Sequence, residues 1–380
     1  MNMRLGIIGG GQLGLYLCEA AQALGFQVAI ISDTADAAAL QKADKIFVAG
    51  LDRVAALDEF LMCCDVVTFE KEDVPDETLA YLIASAQAGA IAIYPDASSL
   101  QMLKNKAQQK TWLQGNNLPT LPFHILPGVP SSVDILVSAL GHQVVQKVQC
   151  GGYDGRGVQL LETLHSPDQL WDVPSIIEPL LIDSHEISVI TARDASGNIQ
   201  CYPPVSMQFD AQLNSVSVVA MPASVRPELA DRAVELAEHV VSLLDGVGVF
   251  AVEMFITPAD ELLINEISPR VHNSGHVTLD ACNVSQFEQH VRAVMGLPLV
   301  KVVNKTPAVM LNILYSEGMR DSCSDKPVVR EGSQPGTSVY WYGKAPGLKG
   351  RKMGHINALA ASIPAAVAGA NQTMIQLTLN

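Results

Sequence analysis

The stretch Gly246–Arg270, GVGVFAVEMFITPADELLINEISPR, reads as two apolar strands joined by a turn at Pro258–Glu261. β-Branched and aromatic residues fill both runs and a proline and an aspartate interrupt them, the pattern of an antiparallel hairpin. If Thr257 faces Leu262, the ladder sets Glu253 opposite Glu266, two carboxylates on one face. Like charges in that position repel, and neither belongs unpaired among apolar neighbours. A cation should therefore lie between them. Mg2+ suits the pair, because it takes hard oxygen ligands and shares them with phosphates. The other reading is a different register that turns one glutamate to solvent. The next residues add Asn265, Arg270, His272, Asn273 and His276, more polar groups than a buried strand end needs for structure.

A second unusual stretch lies upstream. Lys147–Glu162, KVQCGGYDGRGVQLLE, places Gly151, Gly152, Gly155 and Gly157 beside a lysine, an aspartate and an arginine. It follows the expected strand His142–Val148. Glycines after a strand expose backbone N–H groups with no Cβ in the way, so the loop can fold over a polyphosphate. It lacks the residue order of a P-loop. Between the two stretches, Ile176–Ile190 carries Glu178 in one apolar run and Glu186 at the start of an alternating strand.

The N-terminal residues predict a β-α-β unit: a strand Arg4–Ile8, a helix from Gln12 to Leu24 and a strand Val28–Ile31. Gly9, Gly11 and Gly14 fit G-x-G-x-x-G, with Asp33 at the distance of a ribose-binding acid, although such a turn can hold any phosphate. Strands at Lys45–Val48, Asp65–Phe69 and Ala90–Tyr94 alternate with helices at Asp52–Met62 and Asp76–Ala88, the signature of a parallel sheet covered on both faces. A single helix Ser98–Leu113 carries Lys104, Lys106 and Lys110, and a proline-rich connection follows.

Composition narrows the classes. The 380 residues carry a net charge of −15, which argues against nucleic-acid binding, and 48% are hydrophobic, enough for a large core. Seven scattered cysteines give neither a zinc pattern nor a disulfide framework. With no leader pattern and no long apolar run, the expectation is a cytoplasmic chain that does not enter a membrane.

Taken in order, GIIGGGQLG (Gly6–Gly14), CDVVTFEKEDVP (Cys64–Pro75), GGYDGRGVQ (Gly151–Gln159), INEISPRVHNSGHVTLDACNVSQFEQHVRAVMGLPL (Ile264–Leu299) and WYGKAPGLKGRKMGHI (Trp341–Ile356) resemble the N5-carboxyaminoimidazole ribonucleotide synthetases of the ATP-grasp superfamily. The resemblance covers nearly the whole chain. It implies an α/β fold in three parts: a Rossmann-like domain over 1–96, an ATP-grasp domain over 97–300 with a lid near 120–185, and a small β-rich domain over 301–380. It also implies ATP and Mg2+, with bicarbonate and 5-aminoimidazole ribonucleotide as the other substrates, and a homodimer.

The roles it implies are specific. Lys106 and Lys147 neutralise the phosphates under Gly152, Gly155 and Gly157, and Glu253 and Glu266 hold Mg2+ with Asn265 beside them. Glu178, Pro179, Leu180, Leu181 and Glu186 contact the nucleoside. Arg270, His272 and Asn273 meet bicarbonate or carboxyphosphate together with Tyr153 and Asp154, the latter as general base. Gln12, Glu72, Arg156, Lys344 and Arg351 meet the ribonucleotide. Lys106 and Ser206 depart from the family pattern, where arginine and an acid are more usual, and Glu70 competes with Glu72. The rivals are another ATP-grasp ligase of the formate-dependent transformylase type and an NAD-dependent oxidoreductase.

Overall fold

A computed structural model describes residues 3–152, 157–210, 215–315, 328–344 and 350–379. Tyr153, Asp154, Gly155 and Arg156 lie outside the described residues.

The N-terminal strands are β1 (Arg4–Ile8), β2 (Gln27–Ser32), β3 (Lys45–Val48), β4 (Val66–Phe69) and β5 (Ala92–Ile93). They form a parallel sheet in the order β3-β2-β1-β4-β5, the doubly wound arrangement expected from alternating strands and helices. The glycine turn after β1 is closed by a side chain. The Glu70 carboxylate lies so near Gly9 and Gly11 that a Cβ at either would collide with it. Asp33 pairs with Lys71 at 2.9 Å.

The helix expected over Ser98–Leu113 is two helices, Ala97–Leu103 and Lys106–Gly115. Asn105 makes the break. Its side-chain oxygen accepts from the N–H groups of Ala107 (3.0 Å) and Gln108 (3.1 Å), so it starts a new helix instead of continuing the old one. The Lys106 N–H then donates to Gln149 O at 2.9 Å, tying this helix start to the glycine loop.

A small antiparallel sheet follows in the order β6-β9-β7-β8: β6 (His124–Leu126), β7 (Val144–Val148), β8 (Val158–Leu161) and β9 (Ser175–Pro179). The glycine loop joins β7 to β8. Gly157 closes it at φ +84° and accepts from the Val148 N–H, where a Cβ would strike Val148.

The remaining strands are β10 (His185–Arg193), β11 (Ile199–Cys201), β12 (Val205–Asp210), β13 (Ser215–Met221), β14 (Gly248–Ile256), β15 (Leu262–Ser268), β16 (Ala308–Leu314), β17 (Val328–Glu331), β18 (Thr337–Trp341) and β19 (Lys352–Leu359). They form one sheet, β15-β14-β10-β12-β13-β16-β19-β18-β17, with β11 on β10. The C-terminal strands thus extend the central sheet through the β13–β16 pair. The C-terminal helix Ile363–Leu379 packs on β16 and β19.

Alternation decides the faces. Ile187, Val189, Val252 and Met254 point to one side, where Ala233, Ala237, Val240 and Val241 of helix Pro227–Leu244 cover them. Ile190, Ala192, Val249 and Ala251 point to the other, under Phe287 and Val291 of helix Gln286–Val294. That second face also carries Glu186, Ser188 and Glu253 toward the opposite end of the same strands. His290 joins the sheets: its Nδ1 accepts from Val249 N–H (3.0 Å) and its Nε2 meets Thr68 Oγ1 (2.7 Å). Complete burial depresses its pKa to about 3, in keeping with a structural histidine.

Replacing Asn105 with Ala should cost about 1 kcal/mol of helix-cap stability and lower the melting temperature by about 2 °C, with Asp holding the parent value. Melting curves of the two variants check this. An unchanged Ala variant would remove the cap from the account of the helix break.

Candidate active site

The β14–β15 hairpin sets Glu253 opposite Glu266, as expected, but by a different route. Near the turn it is Ile256, not Thr257, that faces Leu262. A bulge between the Met254↔Ile264 and Glu253↔Glu266 pairs then adds Asn265 as an extra residue and restores the pairing. A bulge breaks strict alternation, so Asn265 and Glu266 are both partly exposed between buried Ile264 and Ile267. Three oxygen-bearing side chains meet at one place.

Cations from two other elements surround them. Lys106 Nζ, at its helix start, lies 2.6 Å from Glu266 Oε1. Lys147 Nζ, from β7, donates to Asn265 Oδ1 at 2.8 Å and pairs with Glu178 Oε2 at 2.7 Å. Lys110 pairs with the other oxygen of Glu178. Burial alone would raise the Glu178 carboxyl, but Lys147 and Lys110 outweigh it and hold the pKa below the usual range. Glu266 is likewise held low: burial opposes ionisation and Lys106 overrides it.

Among the described residues, no lysine pairs with Glu253. Burial, then the negative charges of Glu266 and Glu186, push its pKa up to about 8. Burial raises Glu186 to about 7 against the pull of Lys147. His272 Nε2 lies 3.3 Å from Glu253 Oε1. His272 Nδ1 meets the Ser274 hydroxyl (2.9 Å) and N–H (3.3 Å), which fixes the ring with Nε2 toward Glu253.

The two acids of the FEKED stretch separate. Glu70 turns to the glycine turn, whereas Glu72 Oε1 pairs with Arg270 Nε at 3.0 Å. Gln12 and Lys344, 332 residues apart, meet at 2.5 Å between Oε1 and Nζ. The Lys344 ammonium lies 5.3 Å from the centroid of the Tyr342 ring. Arg351 is partly exposed just before β19, where its carbonyl accepts from Tyr315 N–H. Pro179 ends β9, Leu180 N–H donates to Gln143 O, and Leu181 is partly exposed beyond it.

Asn273 departs from its expected place among the reacting groups. Its amide forms a reciprocal pair with Asn312 of β16, Nδ2 to Oδ1 at 3.2 Å and 3.0 Å, and is 6% exposed. Asn312 also donates to Val216 O, so this amide braces the loop after β15 against the C-terminal strands. Little in the sequence marks Lys110 as a site residue. Its one sequence signal is the i, i+4 spacing from Lys106 on an otherwise polar helix, which ordinarily describes a solvated face.

Residues 2–104 match the family model of the ribonucleotide synthetase pre-ATP-grasp domain, residues 111–287 the ATP-grasp domain, and residues 308–368 the phosphoribosylaminoimidazole carboxylase C-terminal domain. The N5-carboxyaminoimidazole ribonucleotide synthase of Synechococcus elongatus is 35% identical over 359 residues, covering 93% of this chain and 88% of that protein. This chain belongs to the N5-carboxyaminoimidazole ribonucleotide synthase family. The synthetase structure from Thermotoga maritima superposes with a TM-score of 0.84 at 33% identity over 97% of each chain. That of the Aspergillus clavatus synthase with ADP and 5-aminoimidazole ribonucleotide gives 0.85 at 28% identity, over 100% of this chain and 99% of that one. The family's three-part α/β architecture is the one observed.

The raised Glu253 pKa carries a sign. The folded chain favours the protonated form, so this group supports the fold below the ordinary value of 4.5 and loses that support as pH rises through about 8. Without nucleotide or metal, Glu253→Gln should therefore melt a few degrees above the parent at pH 8 and by much less at pH 5. A gain that does not grow with pH would contradict the burial of this carboxylate.

Proposed function

We propose that the protein carboxylates 5-aminoimidazole ribonucleotide with bicarbonate, consuming ATP and releasing N5-carboxyaminoimidazole ribonucleotide, ADP and phosphate. The observation that carries this reading is the convergence of Glu253, Glu266 and Asn265 with Lys106 and Lys147, in a chain related to synthases along its whole length.

The donor set fits Mg2+. Two carboxylates and an amide oxygen are hard ligands, and among the described residues Glu253 lacks a lysine partner to offset its charge. No group of three or more His, Cys, Asp or Glu suited to a metal occurs among the described residues. Two carboxylates are what Mg2+ takes when phosphates complete its shell. Glu253 and Glu266 would hold it, and when bound it offsets phosphate charge and aligns the transferred group.

Lys106 and Lys147 would flank the ATP phosphates, and phosphoryl transfer depends mainly on such positioning and charge. The γ-phosphoryl passes from ATP to a bicarbonate oxygen, giving carboxyphosphate and releasing ADP. Arg270, with its planar fork, and His272, through Nε2, would orient that anion. Carboxyphosphate separates into CO2 and phosphate, and the exocyclic amine of the ribonucleotide attacks the carbon. Its proton goes to a base, for which the sequence offers Asp154 near Tyr153. Glu186, poised near neutral pH, can donate to or accept from the ribose hydroxyls, while Glu178 and Pro179 to Leu181 border the nucleoside. The Gly152 to Gly157 loop would cover the phosphates. Gln12, Glu72, Arg156, Lys344 and Arg351 would bind the ribonucleotide between the N-terminal sheet and the C-terminal hairpin. In place of the catalytic role expected for Asn273, its contacts support that of a brace.

ADP release should depend strongly on 5-aminoimidazole ribonucleotide in the presence of Mg2+, ATP and bicarbonate, with an acid-labile carboxylated product appearing in step. Glu266→Gln should lower it by about 100-fold or more, and Asp154→Asn should impair carboxylation. ADP release indifferent to the ribonucleotide would point to another acceptor.

A homodimer through the N-terminal sheet completes the proposal. Its edge strand β3 exposes Ile46 (47%) and Val48 (52%) beside unpaired backbone groups. Light scattering should give twice the chain mass, reduced to the single chain by Ile46→Lys. A monomer at all concentrations rejects the arrangement. No helix among the described residues is long and apolar enough to cross a membrane.

A further inference from the structure

Lys110 is 2% exposed and Glu178 1% exposed, and they face each other from helix Lys106–Gly115 and strand β9. A buried lysine costs free energy unless its charge is answered, so its place needs a reason. Lys110 Nζ reaches one oxygen of Glu178 and also Thr120 Oγ1 at 2.7 Å. Thr120 Oγ1 in turn donates to Ile264 O at 2.7 Å, on the residue just before the Asn265 bulge. The second oxygen of Glu178 faces Lys147.

The charge count is simple. Glu178 contributes one negative charge and the two lysines two positive ones, so the triad carries a net positive unit. With Lys110 present, Glu178 is already answered, and Lys147 keeps an excess positive charge toward Asn265 and Glu266. Without Lys110, Glu178 and Lys147 would neutralise each other as a closed pair.

We propose that Lys110 is a positioning residue for nucleotide binding: by occupying one oxygen of Glu178 it leaves Lys147 charged and directed at the phosphates. The inference rests on the reading that Lys147 meets ATP phosphates. The groups facing Lys110 are Glu178 on β9, Lys147 on β7, Thr120 in the connection and, farther off, Glu266 on β15. Burial outweighs their attraction and lowers the Lys110 pKa to about 8. Lys110 should therefore lose its proton above that pH in the free protein, and bound phosphate should restore it. Nucleotide affinity is then full below pH 8 and weakens above it.

The test is calorimetric titration of the full chain with MgADP from pH 7 to pH 9.5, using the parent, Lys110→Met and Lys110→Arg. The Met variant should bind at least about tenfold more weakly at pH 7. The Arg variant should bind like the parent at pH 7 and lose less affinity by pH 9.5, because guanidinium stays charged. Comparison with Arg separates Lys110 from Glu186 and Glu253, which titrate nearby in all three proteins. A folded Met variant with parental affinity overturns the proposal, as does an Arg variant whose pH dependence matches the parent. If the Met variant does not fold, the parent and Arg profiles decide alone. If Lys147→Met binds MgADP like the parent, the reading of Lys147 fails, a result distinct from failure at Lys110.

Discussion

Two carboxylates facing each other across an antiparallel ladder set the terms for everything near them. Their repulsion is relieved from one side only. Lys106 answers Glu266 directly, and Glu253 is left with the His272 ring and other acids. The result is an uneven pair, one member held ionised and the other held protonated near neutral pH. Such a pair is poor structure and useful chemistry: a divalent ion gains most where the protein has left a negative site unanswered.

The fold supplies the complementary excess of positive charge from elsewhere in the chain. Lys106 is aimed by a helix break, Lys147 by the end of a strand, and Lys110 by the next turn of the same helix as Lys106. Each depends on a local backbone decision, and each of those decisions has a named cause: the Asn105 cap, the glycine loop beyond Val148, and the i, i+4 helical repeat. The positive charge here comes from side chains converging from separate elements, which differs from the single glycine turn after β1. There the Glu70 carboxylate already lies where a phosphate would approach, so the G-x-G-x-x-G pattern describes close packing.

Much of this was readable in the residues. Alternating strands and helices predicted the N-terminal sheet, and the apolar hairpin predicted the facing glutamates. Other features were hidden for physical reasons. The bulge at Asn265 has no distinct composition, so the register near the turn came out one residue off while the important pair remained correct. Asn105 interrupts a helix whose flanking residues are good helix formers. Asn273 sits in a motif full of polar groups, and only its approach to Asn312, 39 residues later, reveals its bracing role. Glu70 and Glu72 differ by two positions and by nothing in type. Only the fold, which sets one against a glycine turn and the other against Arg270, tells them apart.

The central sheet runs unbroken from the hairpin that carries the glutamates to the last strand pair, because β13 is bonded to β16. Opening the C-terminal strands therefore exposes the edge on which β12 and β10 depend, and the loop holding His272 loses Asn312 at the same moment. Local openings that let amide protons exchange in the C-terminal region should be coupled to those of the face that carries Glu253. A proteolytic cut between 300 and 308 should therefore not release a working fragment from a dispensable tail.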